Sequence, residues 1–582
     1  MNSYLHRLAR QGEIDWLSYY FAEFICSFDD SDIDSTLGQS AVMVSEASLA
    51  GNVCVDLSEF SNQPLFPAAT LEGMVKIQGP ETDYWRSELK TSTCVGGPGE
   101  YCPLILDDTR LYMNRFWYYE DFVATRIRAM LKRPATSDDT AIENRVAALF
   151  ANTADMDLDQ KQAVRCAADK PFIVISGGPG SGKTSTVIRI LALLLSQKPD
   201  YRIALAAPTG KAAARMMDSI QQCIDQLEID PQVKAALPLE AKTLHRLLGY
   251  RHGGFSYNQE HRLPLDCVIV DEASMIDLKL MYQLLSALPE QARLILLGDR
   301  DQLASVAAGN VLADITGHGE QRDTADPELA QSIRLLRSNY RFGSDSAIGA
   351  LARQVNLGDA NSALALLETS GQGLHWYNED GERLQEDALV WLLDRYQRIF
   401  DSDTPAQALE VYESTRLLCA TNRGPFGIDA LNSRVSEALL VRNRLPASEL
   451  FSGLPIMITR NFRELGLYNG DTGILWSFDG ELRACFRQVD GSLRDLSINR
   501  LPEFKPAWAI TVHKSQGSEF DSVLMLLPAD AQAEVLSREL LYTAITRARQ
   551  HFLLHGSSKV VVRAIDSLTR RHSGLAAKLG WR

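Results

Sequence analysis

The octapeptide Gly177-Gly178-Pro179-Gly180-Ser181-Gly182-Lys183-Thr184 constrains this chain more than any other stretch. It matches G-x-x-x-x-G-K-[ST], follows an apolar β-branched run at 172–175, and opens a helical pattern that continues to Leu195. Strand, glycine-rich turn and helix form the context in which this pattern cradles phosphate. The glycines let backbone N–H groups wrap the anion, and the helix N-terminus adds partial positive charge. A strand–loop–helix unit of this kind stands on a parallel sheet, so α/β architecture is required around it.

The surrounding texture agrees. From Pro171 short β-branched runs alternate with helical patterns: FIVIS, RIALAAP, CVIVDE and RLILLGD. The texture returns with RLLCAT and again at 509–512, 522–526 and 551–554. This predicts two parallel α/β layers. Between them, residues 453–505 read as short strands with turns at Asn469-Gly470-Asp471, Asp479-Gly480 and Asp490-Gly491, an all-β insertion. Residues 1–115 mix helix with Gly- and Pro-containing loops and show no catalytic pattern. The Trp/Tyr/Phe stripe within 15–27 has helical spacing and is read as core-facing. A polar, Pro-containing break at 133–140 precedes a helix over 141–150. The expected units are 1–115, 116–335 and 336–582, with 453–505 nested in the last.

At 582 residues the chain is too long for one ordinary core. No apolar run is long enough to span a bilayer. The start, MNSYLHRLARQGEID, lacks an apolar signal region, so a cytoplasmic protein is expected. Nine cysteines without CxxC pairing suit a reducing compartment. The nearest pair, Cys94 and Cys102, lacks further ligands at zinc spacing and reads as free thiols. The net charge of −15 is uneven: residues 1–115 carry 17 Asp/Glu against 7 Lys/Arg, the remainder 57 against 52. An acidic N-terminal region suits protein contact or a solvated face, and the near-neutral remainder leaves room for a basic groove.

A nucleotide site needs carboxylates beyond the loop. Val268-Ile269-Val270-Asp271-Glu272 supplies two at the end of an apolar strand. Asp271 is placed to hold Mg²⁺ together with the Thr184 hydroxyl, and Glu272 to act as general base on the attacking water. Lys183 is the counter-charge for the β/γ phosphates of ATP. Gln302, after Gly298-Asp299-Arg300-Asp301, carries an amide that donates and accepts at once, as a γ-phosphate and water sensor must. Arg341 and Arg547 are candidates to cancel transition-state charge. If both reach ATP held by the first layer, the nucleotide lies in a cleft that hydrolysis opens and closes.

In order along the chain stand the phosphate loop, Ala207-Pro208-Thr209-Gly210-Lys211-Ala212-Ala213, Thr243-Leu244-His245, Asp271-Glu272-Ala273-Ser274-Met275, Gly298-Asp299-Arg300-Asp301-Gln302-Leu303, Asn339-Tyr340-Arg341, Val512-His513-Lys514-Ser515-Gln516-Gly517 and Tyr542-Thr543-Ala544-Ile545-Thr546-Arg547. This series resembles the motifs of superfamily 1 DNA helicases. Gln160 resembles the adenine-reading glutamine upstream of the loop. Ile175-Ser176-Gly177-Gly178-Pro179-Gly180, Gly424-Pro425-Phe426-Gly427 with Leu431-Asn432, and Leu467-Tyr468-Asn469-Gly470-Asp471 are closest to the RecD family, the alpha subunits of bacterial RecBCD enzymes (exodeoxyribonuclease V). Pro103-Leu104-Ile105-Leu106-Asp107 with Arg110-Leu111-Tyr112 resembles the same family.

The resemblance implies two RecA-like P-loop domains with parallel sheets, a small β-barrel inserted in the second, and an N-terminal α/β-mixed interaction domain. It implies an ATP- and Mg²⁺-dependent 5′→3′ motor on single-stranded DNA at double-stranded ends. Its partners would be RecB-like and RecC-like subunits in a heterotrimer, with the N-terminal domain docking on the gamma subunit and nuclease chemistry left to the beta subunit. Nucleotide contacts would come from Gln160, Gly177, Gly178, Pro179, Gly180, Ser181, Gly182, Lys183, Thr184 and Ser185. A motor grips the DNA backbone through hydroxyls, N–H groups and cations. Candidates are Thr209, Lys242, Thr243, His245, Asn422, Arg460, Thr511 and His513, with Tyr468 as a base-stacking aromatic. The rival reading is a stand-alone RecD-like helicase, which carries a longer N-terminal region with helix-hairpin-helix repeats; residues 1–170 show none. A regulatory subunit with a switch-only ATP site and an RNA-directed helicase are further rivals.

Overall fold

The structure is a computed structural model that describes residues 3–66, 77–134, 139–151, 158–224, 230–251, 253–317, 326–338, 340, 346–369, 371, 373–381, 384–488, 491–569 and 571–581. The N-terminal region packs helices Tyr4–Gln11, α1 (Trp16–Asp29) and Thr36–Leu49 on a small sheet. That sheet runs in the order Cys54–Asp56, Arg110–Met113, Leu104–Asp107, Val95–Gly96. Its core includes the fully buried Trp85, whose indole Nε1 donates to Ser40 Oγ at 2.9 Å.

Helix α1 starts where Asp15 accepts from the Leu17 N–H and ends at Asp30 in the left-handed region. Its core-facing residues are Tyr19, Ala22, Ile25 and Cys26. The aromatic stripe corrects the reading from sequence. Trp16, Leu17, Tyr20, Phe24 and Phe28 are 41–61% exposed. The helix is apolar on two faces, so its periodicity fits both. Tyr19 and the small and branched residues fit the contact with helix Thr36–Leu49, and Trp16, Tyr20, Phe24 and Phe28 are left outside.

Helix α2 (Asn114–Leu131) leads into the first parallel layer, and α3 (Leu158–Asp169) precedes its sheet. The strands are β1 (Phe172–Gly177), β2 (Ile203–Ala207), β3 (Ala241–Thr243), β4 (Cys267–Val270), β5 (Arg293–Gly298) and β6 (Ile333–Leu336). They form one parallel sheet in the order β6-β1-β5-β4-β2-β3. The four apolar runs named above are β1, β2, β4 and β5. Burial on both faces by crossover helices explains why they read as continuous hydrophobic stretches.

The second layer holds β7 (Leu374–Tyr377), β8 (Thr415–Cys419), β9 (Ala509–Thr511), β10 (Phe520–Leu526) and β11 (Ala548–His555) in the parallel order β7-β11-β10-β8-β9. Between β8 and β9 the chain builds a five-stranded antiparallel sheet from 455 to 506, its Asp479-Gly480 hairpin turn at positive φ on both residues. The expected barrel closure is not part of it. Among the described residues Leu493–Ser497 and Phe504–Pro506 are the two edge strands and are not paired with each other, so the sheet is open.

After Ser567 the chain leaves the second layer. Val53 N–H donates to the His572 carbonyl at 2.8 Å, Glu120 on α2 accepts from Ser573 Oγ and Gly574 N at 2.9 Å, and Trp581 Nε1 donates to the Ile315 carbonyl at 3.1 Å. Leu575, Leu579 and Trp581 are buried in the core of the first layer. No helix among the described residues is long and apolar enough to cross a membrane.

Candidate active site

Parallel register brings three strand ends together. Gly298 on β5 pairs with Ser176 on β1, and Leu296 on β5 pairs with Val270 on β4. The phosphate loop after β1, Asp271-Glu272 after β4 and Gln302 after β5 therefore emerge side by side, as ligand sites in open parallel sheets do.

Helix α4 (Lys183–Gln197) begins directly from the loop, with Gly182 as N-cap at φ 83° and no side chain capping it. Its first N–H groups stay available to an anion. A Cβ at Gly182 would collide with the Gln160 amide nitrogen, and one at Gly178 would stand 2.9 Å from the Tyr542 hydroxyl. Only glycine fits this cradle. Lys183 Nζ folds back onto the Gly177 and Gly178 carbonyls at 2.5 and 3.3 Å. The Ser185 hydroxyl is engaged by the Arg189 guanidinium.

Glu272 sits at φ 52°, a left-handed conformation costly for a non-glycine residue and common where function over-determines the backbone. Its N–H donates to Asp271 Oδ1 at 2.8 Å. Burial pushes the Asp271 carboxyl up to about 6, the neighbouring Glu272 adds to this, and the Lys183 ammonium opposes it.

A cavity of about 600 Å³ opens over the loop, lined by residues of both layers. Gln160 Oε1, Ser181 Oγ, Gln302 Oε1 and Arg547 Nη2 are buried, line this cavity, and have no hydrogen-bond partner among the described residues. Buried polar atoms are rarely left unsatisfied. Ser181 Oγ and Arg547 Nη2 can donate to phosphate oxygens, and the two amide oxygens can accept from a base amino group and from water, so the four together fit a polyphosphate ligand with a hydrogen-bonding base. Thr184, Asp271 and Glu272 line the same space, so oxygen donors for a hard divalent cation are present.

Arg547 reaches this cavity from helix α6 (Arg538–Ile545) and the turn after it. Its Nε donates to the Thr543 carbonyl at 3.2 Å and its Nη1 to the Ser518 carbonyl at 3.0 Å. Burial lowers its pKa, and Glu272 and Glu519 oppose that. Arg341 lies outside the described residues. Sequence reasoning passed over several cavity residues. Tyr340 N–H donates to the Gly180 carbonyl at 2.8 Å, and Arg215 and Glu519 line the wall. Ala212, Arg215, Met216 and Ser219 share one face of α5 (Gly210–Ile224), a signal that helical spacing carried.

Thr209, Thr243, His245, Asn422, Thr511 and His513 end or follow other strands of the two layers, and Arg460 and Tyr468 lie between strands of the inserted sheet. Ala207 on β2 is paired with Thr243 on β3, and Cys419 on β8 with Thr511 on β9. Thr209, Thr243 and Thr511 each accept from a backbone N–H of the following turn, at 3.2–3.3 Å. A hydroxyl that accepts in this way still has its own proton to donate. Asn422 and Arg460 are exposed and Tyr468 half-buried. Lys242 pairs with Glu240 at 2.6 Å. The His245 ring packs against Tyr250 and Phe255, and burial lowers its pKa, as it does for half-buried His513. The nine cysteines are all free thiols, and among the described residues no His/Cys/Asp/Glu cluster forms a metal site.

A family model for an AAA domain matches residues 160–308, one for the N-terminal domain of RecBCD enzyme subunit RecD matches 10–112, and one for a UvrD-like helicase C-terminal domain matches 506–554. The RecBCD enzyme subunit RecD of Mycolicibacterium smegmatis is 37% identical, covering 94% of this chain and 94% of its own length. That of Haemophilus influenzae is 32% identical over 100% of this chain and 99% of its own. The ATP-dependent RecD2 DNA helicase of Deinococcus radiodurans is 30% identical, with 77% of this chain matched but only 55% of that protein. Among solved structures, a Bacteroides Pif1 helicase in complex with ADP-AlF3 and ssDNA aligns over 69% of this chain and 92% of its own, with TM-score 0.38 and 19% identity. Relatives above 30% identity, matched almost end to end, show that the chain belongs to the RecD family.

Proposed function

We propose that the chain is the 5′→3′ ATP-driven DNA motor of a RecBCD-type helicase–nuclease acting at double-stranded DNA ends. The observation that carries this reading is the convergence of four unpartnered buried polar atoms from both layers on one cavity above the phosphate loop. A site built from two halves makes nucleotide turnover a mechanical event.

In this reading Gln160 reads the base, and Gly177 to Ser185 wrap the phosphates. Glu272 takes the proton of the attacking water, which Gln302 orients, and the γ-phosphoryl leaves ADP for that water oxygen. Lys183 and Arg547, joined by Arg341, stabilise the charge that develops. Thr184 and Asp271 would hold Mg²⁺, which when bound would offset the negative charge of the phosphates. Closure and reopening of the cleft move the two sets of strand ends relative to one another. Thr209, Lys242, Thr243 and His245 on one side, and Asn422, Arg460, Tyr468, Thr511 and His513 on the other, would hand the DNA backbone along.

The units 1–115, 116–335 and 336–582, with an insertion at 453–505, remain the proposed division. The N-terminal unit docks on a larger partner subunit through α1. The acidic Glu13, Asp15, Glu23 and Asp30 lie beside the exposed ring stripe in sequence, so an apolar surface with a basic border is the complement. Full-length agreement with RecD subunits, against 55% of the longer stand-alone RecD2 helicase, favours the subunit reading. The test is strand displacement by the full chain on duplexes with 5′ or 3′ single-stranded tails. Unwinding from the 5′ tail is expected, and preference for the 3′ tail overturns the polarity.

A further inference from the structure

The arginine that closes the nucleotide cavity is held by a loop, and the loop is held from across the cleft. Arg215 projects from α5 in the first layer. Its Nη1 donates to the Gly517 carbonyl at 2.9 Å, and its Nη2 meets Glu519 Oε2 at 2.5 Å. These two contacts flank Ser518, whose carbonyl accepts from Arg547 Nη1 at 3.0 Å. The remaining Arg547 nitrogen, Nη2, is the unpartnered one that lines the cavity. A Cβ at Gly517 would lie 3.6 Å from the Ala212 methyl, so loop and helix already abut. Glu519 is 9% exposed and also pairs with Arg549 of its own layer at 3.2 Å. Its bond to Arg215 crosses the cleft.

We infer that Arg215 is a positioning residue for Arg547: its guanidinium grips the backbone and carboxylate on either side of Ser518 and so aims Arg547 at the phosphates. The inference rests on the ATP-hydrolysis reading above. A planar fork with fixed donors suits two acceptors at once, which a lysine ammonium matches only as a point charge. The placement also links the clamp to the DNA candidates. Helix α5 begins one residue after Thr209, and the gripped loop follows Thr511 and His513. Displacing either strand-end corner would release the clamp and turn Arg547 away from the cavity.

The experiment is ATP turnover by the full chain at saturating single-stranded DNA for Arg215→Met, Arg215→Lys, Arg547→Lys and the double variant Arg215→Met/Arg547→Lys. Misaiming one charge-stabilising group by about 1 Å costs up to about a hundredfold, so Arg215→Met is expected to lower kcat about ten- to a hundredfold with the KM for ATP nearly unchanged. Arg215→Lys, which keeps the charge toward Glu519, restores part of kcat. In the Arg547→Lys background, Arg215→Met adds less than about a twofold loss, because coupled residues are not additive. Multiplicative losses in the double variant, or an effect carried by KM alone, overturn the inference. A wild-type chain without DNA-stimulated turnover would instead refute the hydrolysis reading itself.

Discussion

The Tyr542 hydroxyl donates to Asp299 Oδ2 at 3.0 Å, a buried hydrogen bond between residues 243 positions apart that ties helix α6 of the second layer to the strand end beside the phosphate loop. Asp299 Oδ2 also accepts from Gln302 Nε2 at 3.2 Å. Burial and the Asp299 carboxylate hold the Tyr542 phenol far above its ordinary pKa, so it donates at any working pH. Tyr542→Phe removes one donor from a buried carboxylate, at a cost of about 1–3 kcal/mol. Since the lost bond spans the cleft, DNA-stimulated ATP turnover is expected to fall about fivefold or more. Steady-state kinetics at saturating DNA checks this, and wild-type turnover in the variant would refute the cross-cleft role.

Lys183→Gln tests the site more severely. The ammonium is the fixed positive charge within the loop, and loss of such a group typically costs about a hundred- to a thousandfold in kcat. The variant is expected to show no measurable DNA-stimulated hydrolysis and an unchanged far-UV circular dichroism spectrum. Retained turnover with a folded chain would show that phosphate is bound elsewhere.

A pH effect on stability is expected at a carboxyl that does not line the nucleotide cavity. Burial pushes the Asp314 carboxyl up to about 7; Glu120 adds to this, and Ser573 and Arg571 oppose it. Glu120, the anchor of the C-terminal tail, is also shifted upward by burial. A carboxyl with a folded pKa above its unfolded one stabilises fully below the unfolded value. That contribution is lost as pH rises through the folded pKa, here between about pH 4 and 7. Asp314→Asn keeps the shape without the charge. Its melting temperature should fall less than wild type between pH 5 and pH 8 (roughly the window of the shift). Parallel melting curves for the two proteins would rule out Asp314 as the source.

The α1 stripe makes a separable prediction about assembly. Phe24 is 58% exposed, so Phe24→Asp leaves the fold intact while placing a charge in the middle of the apolar face. Co-purification with two larger partner subunits is expected to be lost, and DNA-stimulated ATP turnover of the chain to persist. Undiminished co-purification would move the docking surface elsewhere.

Much of the parallel sheet was legible because its signal is local. Strands β1, β2, β4, β5, β8 and β10 are short apolar runs bounded by turns. A strand buried on both faces admits little else. The short edge strands β3, β6 and β7 lack such runs and were not visible. The α1 stripe misled because helical periodicity reports an apolar face without saying whether anything covers it. Barrel closure in 453–505 was expected from resemblance, yet closure depends on edge pairing, which no stretch of strand sequence specifies.

The amino-acid sequence alone determined the phosphate loop. Left-handed glycines, an apolar strand before them and an uncapped helix after them are properties of about a dozen consecutive residues, set by local sterics and hydrogen bonding. Tertiary structure decided what faces that loop. Asp299 meets Tyr542, Arg215 meets Glu519, and the tail at 571–581 returns to Glu120 and Ile315 only because two sheets with separate cores pack in one orientation. Those pairings depend on strand order and the fit of distant surfaces, and short-range sequence carries no energetic record of either.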